Sequence, residues 1–395
     1  MLIEILISTL VGIFAGTLTG LLPGIHINLV GTALATLSAT LFSSVNPIYL
    51  VSFIAAMAIT HTFLDFIPSI FLGCPDTETQ LSVLPGHELL KEGKGYEAVM
   101  LTAKGGIFAV FIFILLSFPF AFFFSKIYGL LHSVMFYVLL VISLLLIFSE
   151  KKKLTALLVF AISGILGLCV LNSQIKEPLL PLLTGLFGAS MLVTSIKNKI
   201  EIPKQEITFS KSKILKPLIG TILASPLCGF LPGLGSGQAA VLGNSIARTD
   251  RKGFLILIGA TNVFVMGLSF VSLYAISKTR TGAAAAIQQI IGILSWKTLI
   301  IILLVVLASG VISFFLIKVL TKFFSQKISR INYSLLSTST LIFLIILVFI
   351  FSGFLGFLVL IASTLTGIYC NSLNVKKTHM MGCLLIPTIL FYFPF

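Results

Sequence analysis

The stretch GLLPGIH, residues 20–26, returns as GFLPGLG at residues 229–235, and both copies lie in otherwise oily surroundings. Proline removes a backbone donor and glycine relaxes the chain, so Leu-Pro-Gly interrupts a helix. In hydrocarbon such an interruption is tolerated only where protein or a water-filled cavity satisfies the freed backbone groups. Hydrocarbon is the relevant solvent here: of 395 residues, 57% are hydrophobic and 10% charged, with a mean hydropathy of +1.15. Those figures all but exclude a soluble domain with an ordinary polar surface. Apolar runs suited to crossing about 30 Å of hydrocarbon recur at 107–124, 134–148, 154–171, 298–317 and 339–351 with its continuation to 363. The chain reads as an all-α, polytopic membrane protein of roughly 10–14 helices, with broken helices at the two Leu-Pro-Gly motifs. The opening MLIEILISTLVGIF has an acid where a signal peptide needs positive charge, and is expected to form the first membrane helix.

Net charge is +14. The cations gather in short breaks between apolar runs, at 150–153, 197–216, 248–252 and 318–330, which is the pattern of cytoplasmic loops rather than of a nucleic-acid surface. The cysteines Cys74, Cys169, Cys228, Cys370 and Cys383 are scattered without metal spacing and are expected to be small buried apolar residues.

The two motifs belong to longer matching segments. VGIFAGTLTGLLPGIHINLVGTALATL (11–37) aligns with IGTILASPLCGFLPGLGSGQAAVLGNSI (219–246), and a weaker echo pairs 59–63 with 259–264 and Thr77-Glu78-Thr79 with Thr279-Arg280-Thr281. This divides the chain into a first transmembrane half (1–196), a basic cytoplasmic linker (197–216) and a second half (217–395). Counting spans between basic breaks starts the first half outside and the second inside, an inverted pair. Such repeats build secondary transporters, with the site near the bilayer midplane.

After each break a helix is expected to restart, near Ile25 and Ser236, presenting unpaired N–H groups and a positive dipole end to an anion. Pro23, Gly24, His26 and Asn28 form the first candidate turn; Pro232, Gly233, Gly235, Ser236, Gly237 and Gln238 form the second. Gly235 and Gly237 allow close approach, while Ser236 and Gln238 offer donors.

Around these motifs the chain resembles the TctA-like large-subunit family of tripartite tricarboxylate transporters, which carries a G-x-L-P-G-x-G signature in each half. LPGHELLKEGKGYEAV (84–99) also follows that family's pattern. The resemblance spans about residues 5 to 295 and implies a multi-span permease for carboxylates such as citrate, driven by an ion gradient. It also implies a small membrane subunit and an extracytoplasmic binding protein as partners. The departures, Cys74-Pro75-Asp76 in place of Pro-Gly and Asn262 as the survivor of an ESANNA-type stretch, fit a divergent, archaeal branch.

Charges within apolar segments are costly and default to functional hypotheses. Asp65 lies between long apolar stretches with His61 one turn earlier, so the pair is assigned to H⁺ or Na⁺ coupling; a hydrogen-bonded pair that fixes helix packing is the alternative. Arg280, beside Lys278 and before the Ala-rich helix that starts near Thr281-Gly282, can clamp a carboxylate. Asn262, with Asn244, Gln288 and Gln289, is polar in apolar surroundings; Asn262 is assigned to the anion and the other three to the pathway wall or to interhelical hydrogen bonds. Asp76 and Glu78 are candidates for a cation or for pairing with Arg280. No cofactor is expected beyond the coupling ion. ATP-binding and hydrolase signatures are absent from the sequence, which leaves a channel or an intramembrane, lipid-handling enzyme as the alternatives to a plasma-membrane carrier.

Overall fold

The computed structural model describes residues 2–22, 31, 45–73, 79, 81–148, 150–197, 202–209, 211–230, 235–329 and 332–394, and no strand occurs among them. The first half contains α1 (Leu2–Leu21), α2 (Pro47–Leu64), α3 (Phe66–Phe71), α4 (Val83–Lys91), α5 (Gly95–Ser133), α6 (Met135–Phe148) and α7 (Lys153–Leu171). It closes with α8 (Leu179–Leu183), which runs through a π-turn (Thr184–Ala189) into α9 (Ser190–Lys197). Then come α10 (Leu215–Phe230), α11 (Ser236–Ala247), α12 (Arg251–Ile276), α13 (Gly282–Ile291), α14 (Trp296–Ile328) and α15 (Tyr333–Ser372), and last a 3₁₀ turn (Lys377–Met381) and α16 (Gly382–Phe391). Eight helical stretches among the described residues are long and apolar enough to cross a membrane.

Polar residues at the ends of apolar runs start these helices. Asn46, Asp250, Thr281, Ser295 and Asn332 each accept a hydrogen bond from a backbone N–H in the first turn of α2, α12, α13, α14 and α15. Pro68 lacks the N–H that would bond to the Leu64 carbonyl, and the helix is interrupted between α2 and α3 at Asp65. Gly93, at φ +79°, ends α4 in the left-handed conformation that favours glycine.

Helix direction follows from close contacts. Gly12, Gly16 and Gly20 of α1 meet in turn Phe53, Met57 and Leu64, so α1 and α2 run parallel. Gly220 of α10 meets Leu257, and the Gly229 carbonyl accepts from Ser272, so α10 and α12 also run parallel. Helix α5 is parallel to α12, with Thr102 beside Gly259 and Phe113 beside Gly267, and antiparallel to α2 and α3, with Gly106 at Phe63 of α2 and Gly95 at Phe71 of α3. The α1–α2 pair therefore points opposite to the α10–α12 pair, the relation an inverted repeat requires. The halves also exchange partners: α5 packs chiefly on α12, and α14 packs on α2.

The second break forms a re-entrant hairpin. Gly220 and Gly243 bring α10 and α11 into backbone contact, and Lys213, Lys216 and Arg248 at their open ends line one crevice. With 16 residues, α10 extends about 24 Å, short of the hydrocarbon thickness, and α11 starts at Ser236 and runs back along it.

The linker is docked rather than loose. Gln205 accepts from the Gly95 N–H at 2.8 Å and donates to the Leu90 carbonyl at 3.0 Å, and Lys104 donates to Ser212. Arg251 grips Glu92 through two bonds of 2.8 and 3.0 Å, and Lys252 pairs with Glu97 at 2.7 Å. The starts of α5 and α12 and the linker thus share one strongly basic face.

Two expectations are corrected. The apolar run 339–363 is not one continuous span: at Gly353, φ +66°, the chain turns sharply back. Before it, Leu344 lies against Leu192 and Ser352 reaches the Glu177 carbonyl; after it, Ser363 lies on Gly185, Gly367 on Ser190, and Asn371 bonds Ser190. Cys228, Cys370 and Cys383 are buried as expected, whereas Cys169 is exposed on the outer, lipid-facing side of α7, where a small apolar thiol needs no protein cover.

Candidate functional site

In the first half, Asp65 is buried at the α2–α3 junction, and its Oδ2 accepts from Asn262 Nδ2 of α12 at 3.2 Å. The same amide nitrogen lies 3.3 Å from the Thr62 carbonyl. His61, also buried, places Nδ1 3.1 Å from Thr19 Oγ1 on α1. One turn apart on a helix, the two titratable side chains thus engage different helices. Ser69 Oγ donates to the Asp65 carbonyl at 2.7 Å and lies 2.6 Å from Thr79 Oγ1.

The second half repeats the last of these contacts: Ser269 Oγ lies 2.9 Å from Thr281 Oγ1. Next to it the Gly229 carbonyl, the last before the hairpin tip, accepts from Ser272 Oγ at 3.0 Å and from Arg280 Nε at 3.2 Å. Thr281 caps α13 through Ala284 N–H, and Gly282 at its start approaches Gly31 of the first half. Across the tip, Gln238 Oε1 accepts from Gly235 N–H at 2.9 Å and Cys228 Sγ contacts the Gly235 carbonyl. Gln238 is 1% exposed, and its Nε2 has no hydrogen-bond partner among the described residues. A buried amide donor left unmade costs about 1–3 kcal/mol, so this group is suited to a ligand acceptor.

Asn262, Ser269 and Ser272 follow at spacings of seven and three residues on α12. They therefore share a face and form a polar track of about 15 Å from Asp65 to the hairpin tip.

The structure brings Asp65 and Asn262 together and gathers Gly235, Ser236, Gly237 and Gln238 at the start of α11, which begins at Ser236 as the motif predicts. Pro23, Gly24, His26, Asn28, Pro232 and Gly233, with Cys74, Asp76 and Glu78, lie outside the described residues. Lys278 and Gln289 are exposed, and Gln288 donates to the Ser277 carbonyl at 3.2 Å. Asn244 Oδ1 accepts from Thr249 N–H and Oγ1 at 2.9 and 2.6 Å, closing the end of α11. Reading the sequence missed Thr19, Ser69, Ser269 and Ser272. Serine and threonine are common in membrane helices, where they bond back to their own carbonyls, so only their recurrence at matching places could have singled them out.

The profile of the Tripartite tricarboxylate transporter TctA family matches residues 6–382. The chain belongs to this family. The match extends far past residue 295 and takes in α14, α15 and the 3₁₀ turn, so the C-terminal helices are part of the TctA fold. An archaeal relative, uncharacterized protein MJ1079 of Methanocaldococcus jannaschii, is 32% identical over 359 residues, covering 87% of this chain and 88% of the relative. No solved structure gives a significant match. The family is one of transporters, and the eight long apolar helices make this TctA-family chain a multi-pass membrane protein.

Proposed function

We propose that this protein is a secondary active transporter of a small organic anion, a di- or tricarboxylate, driven by an H⁺ or Na⁺ gradient across the plasma membrane. The reading rests chiefly on the buried Gln238 amide at the start of α11, whose Nε2 has no hydrogen-bond partner among the described residues, where the short helices α10 and α11 double back on each other. An anion there meets the first turn and positive end of α11, with the Arg280 guanidinium bonded to Gly229 at the end of α10.

In this reading Pro232 and Gly233 break the helix, Gly235 and Gly237 admit the ligand, and Ser236 and Gln238 orient it while Arg280 offsets its charge. Pro23, Gly24, His26 and Asn28 supply the first half's turn. Asp65, with His61, carries the coupling ion. Asn262 bonds Asp65 directly, so its role becomes the link between coupling ion and anion rather than anion contact alone. The TctA family is named for tripartite systems, which supports a small membrane subunit and an extracytoplasmic binding protein as partners.

The test is uptake of labelled mono-, di- and tricarboxylates into proteoliposomes under imposed H⁺ or Na⁺ gradients, comparing wild type with Gln238→Leu and Arg280→Ala. Saturable, gradient-dependent uptake with counterflow, abolished in both variants, is expected. Non-saturating flux would instead identify a channel, and a chemically altered product an enzyme.

A further inference from the structure

On the basic face, between the halves, lies a cavity of ≈ 640 Å³. Asn244, Ser245 and Arg248 of the returning hairpin leg form one wall, and Lys376, Lys377 and Thr378 before and within the 3₁₀ turn form another. Apolar side chains of α4 and α12 complete it. Among the described lining residues there are three cations and no carboxylate.

The cations differ in their surroundings. Lys377 reaches the Met191 sulfur at 2.7 Å, a weak acceptor, and burial pushes its ammonium down to about 8. Glu150, an acid beside this turn, is engaged by the Lys151 and Lys376 N–H groups, by His379 Nε2 and by the Lys376 charge. Arg248 closes α11 in the left-handed conformation at φ 49°. A volume of this size suits a small molecule, and three cations without an acid select one that carries several negative charges.

The cavity is also in line with the hairpin tip. Gln238, Val241, Ser245 and Arg248 stand at i, i+3, i+7 and i+10 of α11, one face of that helix. The Gln238 amide and the cavity wall are therefore the two ends of one strip about 15 Å long.

We propose that this cavity is a second anion site, which holds a soluble polycarboxylate on the basic side of the membrane and exchanges it along α11 with the site at the hairpin tip. The identity of the anion rests on the transport reading above; the binding does not.

The test uses the full chain in nanodiscs of zwitterionic lipid, titrated calorimetrically with citrate, succinate, acetate and inorganic phosphate. Wild type is expected to bind citrate at two classes of site. The Lys376→Gln/Lys377→Gln double variant weakens one class about tenfold or more, Arg248→Gln weakens the same class, and the double Lys→Arg variant restores it. Gln238→Leu removes the other class and leaves this one. In oriented proteoliposomes the cavity variants raise the half-saturation concentration measured from the basic side and leave that from the opposite side unchanged. Citrate binding that is the same in the cavity variants as in wild type overturns the proposal. So does an anionic lipid that co-purifies with wild type and is lost from the variants while no soluble anion binds. Citrate or phosphate binding that depends on Lys376 and Lys377, in a protein that shows no gradient-driven uptake, keeps the site and overturns only the transport reading.

Discussion

Asp65 shows what one residue tells and hides. An acid between apolar runs announces itself in the sequence, because hydrocarbon penalises a charge. Its partner does not: Asn262 is 197 residues away, and nothing local to either residue pairs them. If Asp65 carries the coupling ion, Asp65→Asn keeps the shape and the Asn262 contact but loses the charge. The expected result is loss of gradient-driven uptake with anion exchange preserved, read in the same proteoliposomes. Loss of both would assign Asp65 to packing. His87, on α4 at the basic face, is buried and places Nδ1 3.1 Å from the Ile70 carbonyl. Burial, with nearby Lys91 and Lys377 adding to it, lowers this imidazole from its usual 6.5 to about 4. The folded protein therefore keeps it neutral while the unfolded chain takes up a proton below pH 6.5. Stability is full above 6.5 and falls as pH drops toward 4, by about 3 kcal/mol. His87→Gln retains a donor and cannot titrate, so melting curves of the variant should lose that part of the acid sensitivity.

At the scale of elements, the second interruption was legible because Pro-Gly leaves few options in an apolar segment: α10 ends at Phe230 and α11 starts at Ser236. Helix α12 ends at Ile276, where the polar run begins. The reversal at Gly353 was not legible, since SGFLG within an apolar run lacks proline and reads as continuous helix. Close approach of helices was equally hidden. A Cβ on Gly259 would overlap the Thr102 carbonyl oxygen, and one on Gly105 that of Ile256, so α5 and α12 touch backbone to backbone. Gly259→Val should force them apart and cost about 1–3 kcal/mol, seen as a lower melting midpoint in detergent. An unchanged midpoint would show that the pair repacks without cost.

For the whole molecule, the charge pattern argues the orientation. Lys94, Lys104, Lys213, Arg251 and Lys252 converge on one face through the contacts of α5, the linker and α12, and positive residues are retained on the cytoplasmic side. The turn before α14 lies on the other face, where Ile293 is exposed. In intact cells a membrane-impermeant thiol reagent should modify Ile293→Cys and spare Ser212→Cys; the reverse pattern would invert the topology. What the sequence could not reveal at this scale was the exchange of helices between halves, because a repeat shows which segments correspond and not which ones touch.

That exchange bears on how the chain is made. Helix α2 is almost wholly buried, and α14, one of the helices that cover it, leaves the ribosome more than two hundred residues later. Until then the Asp65 carboxylate lacks Asn262 and Thr60 lacks Ser313. The polar seam of α2 can therefore be closed only after α12 and α14 have been made, so a chain stopped before them leaves it exposed.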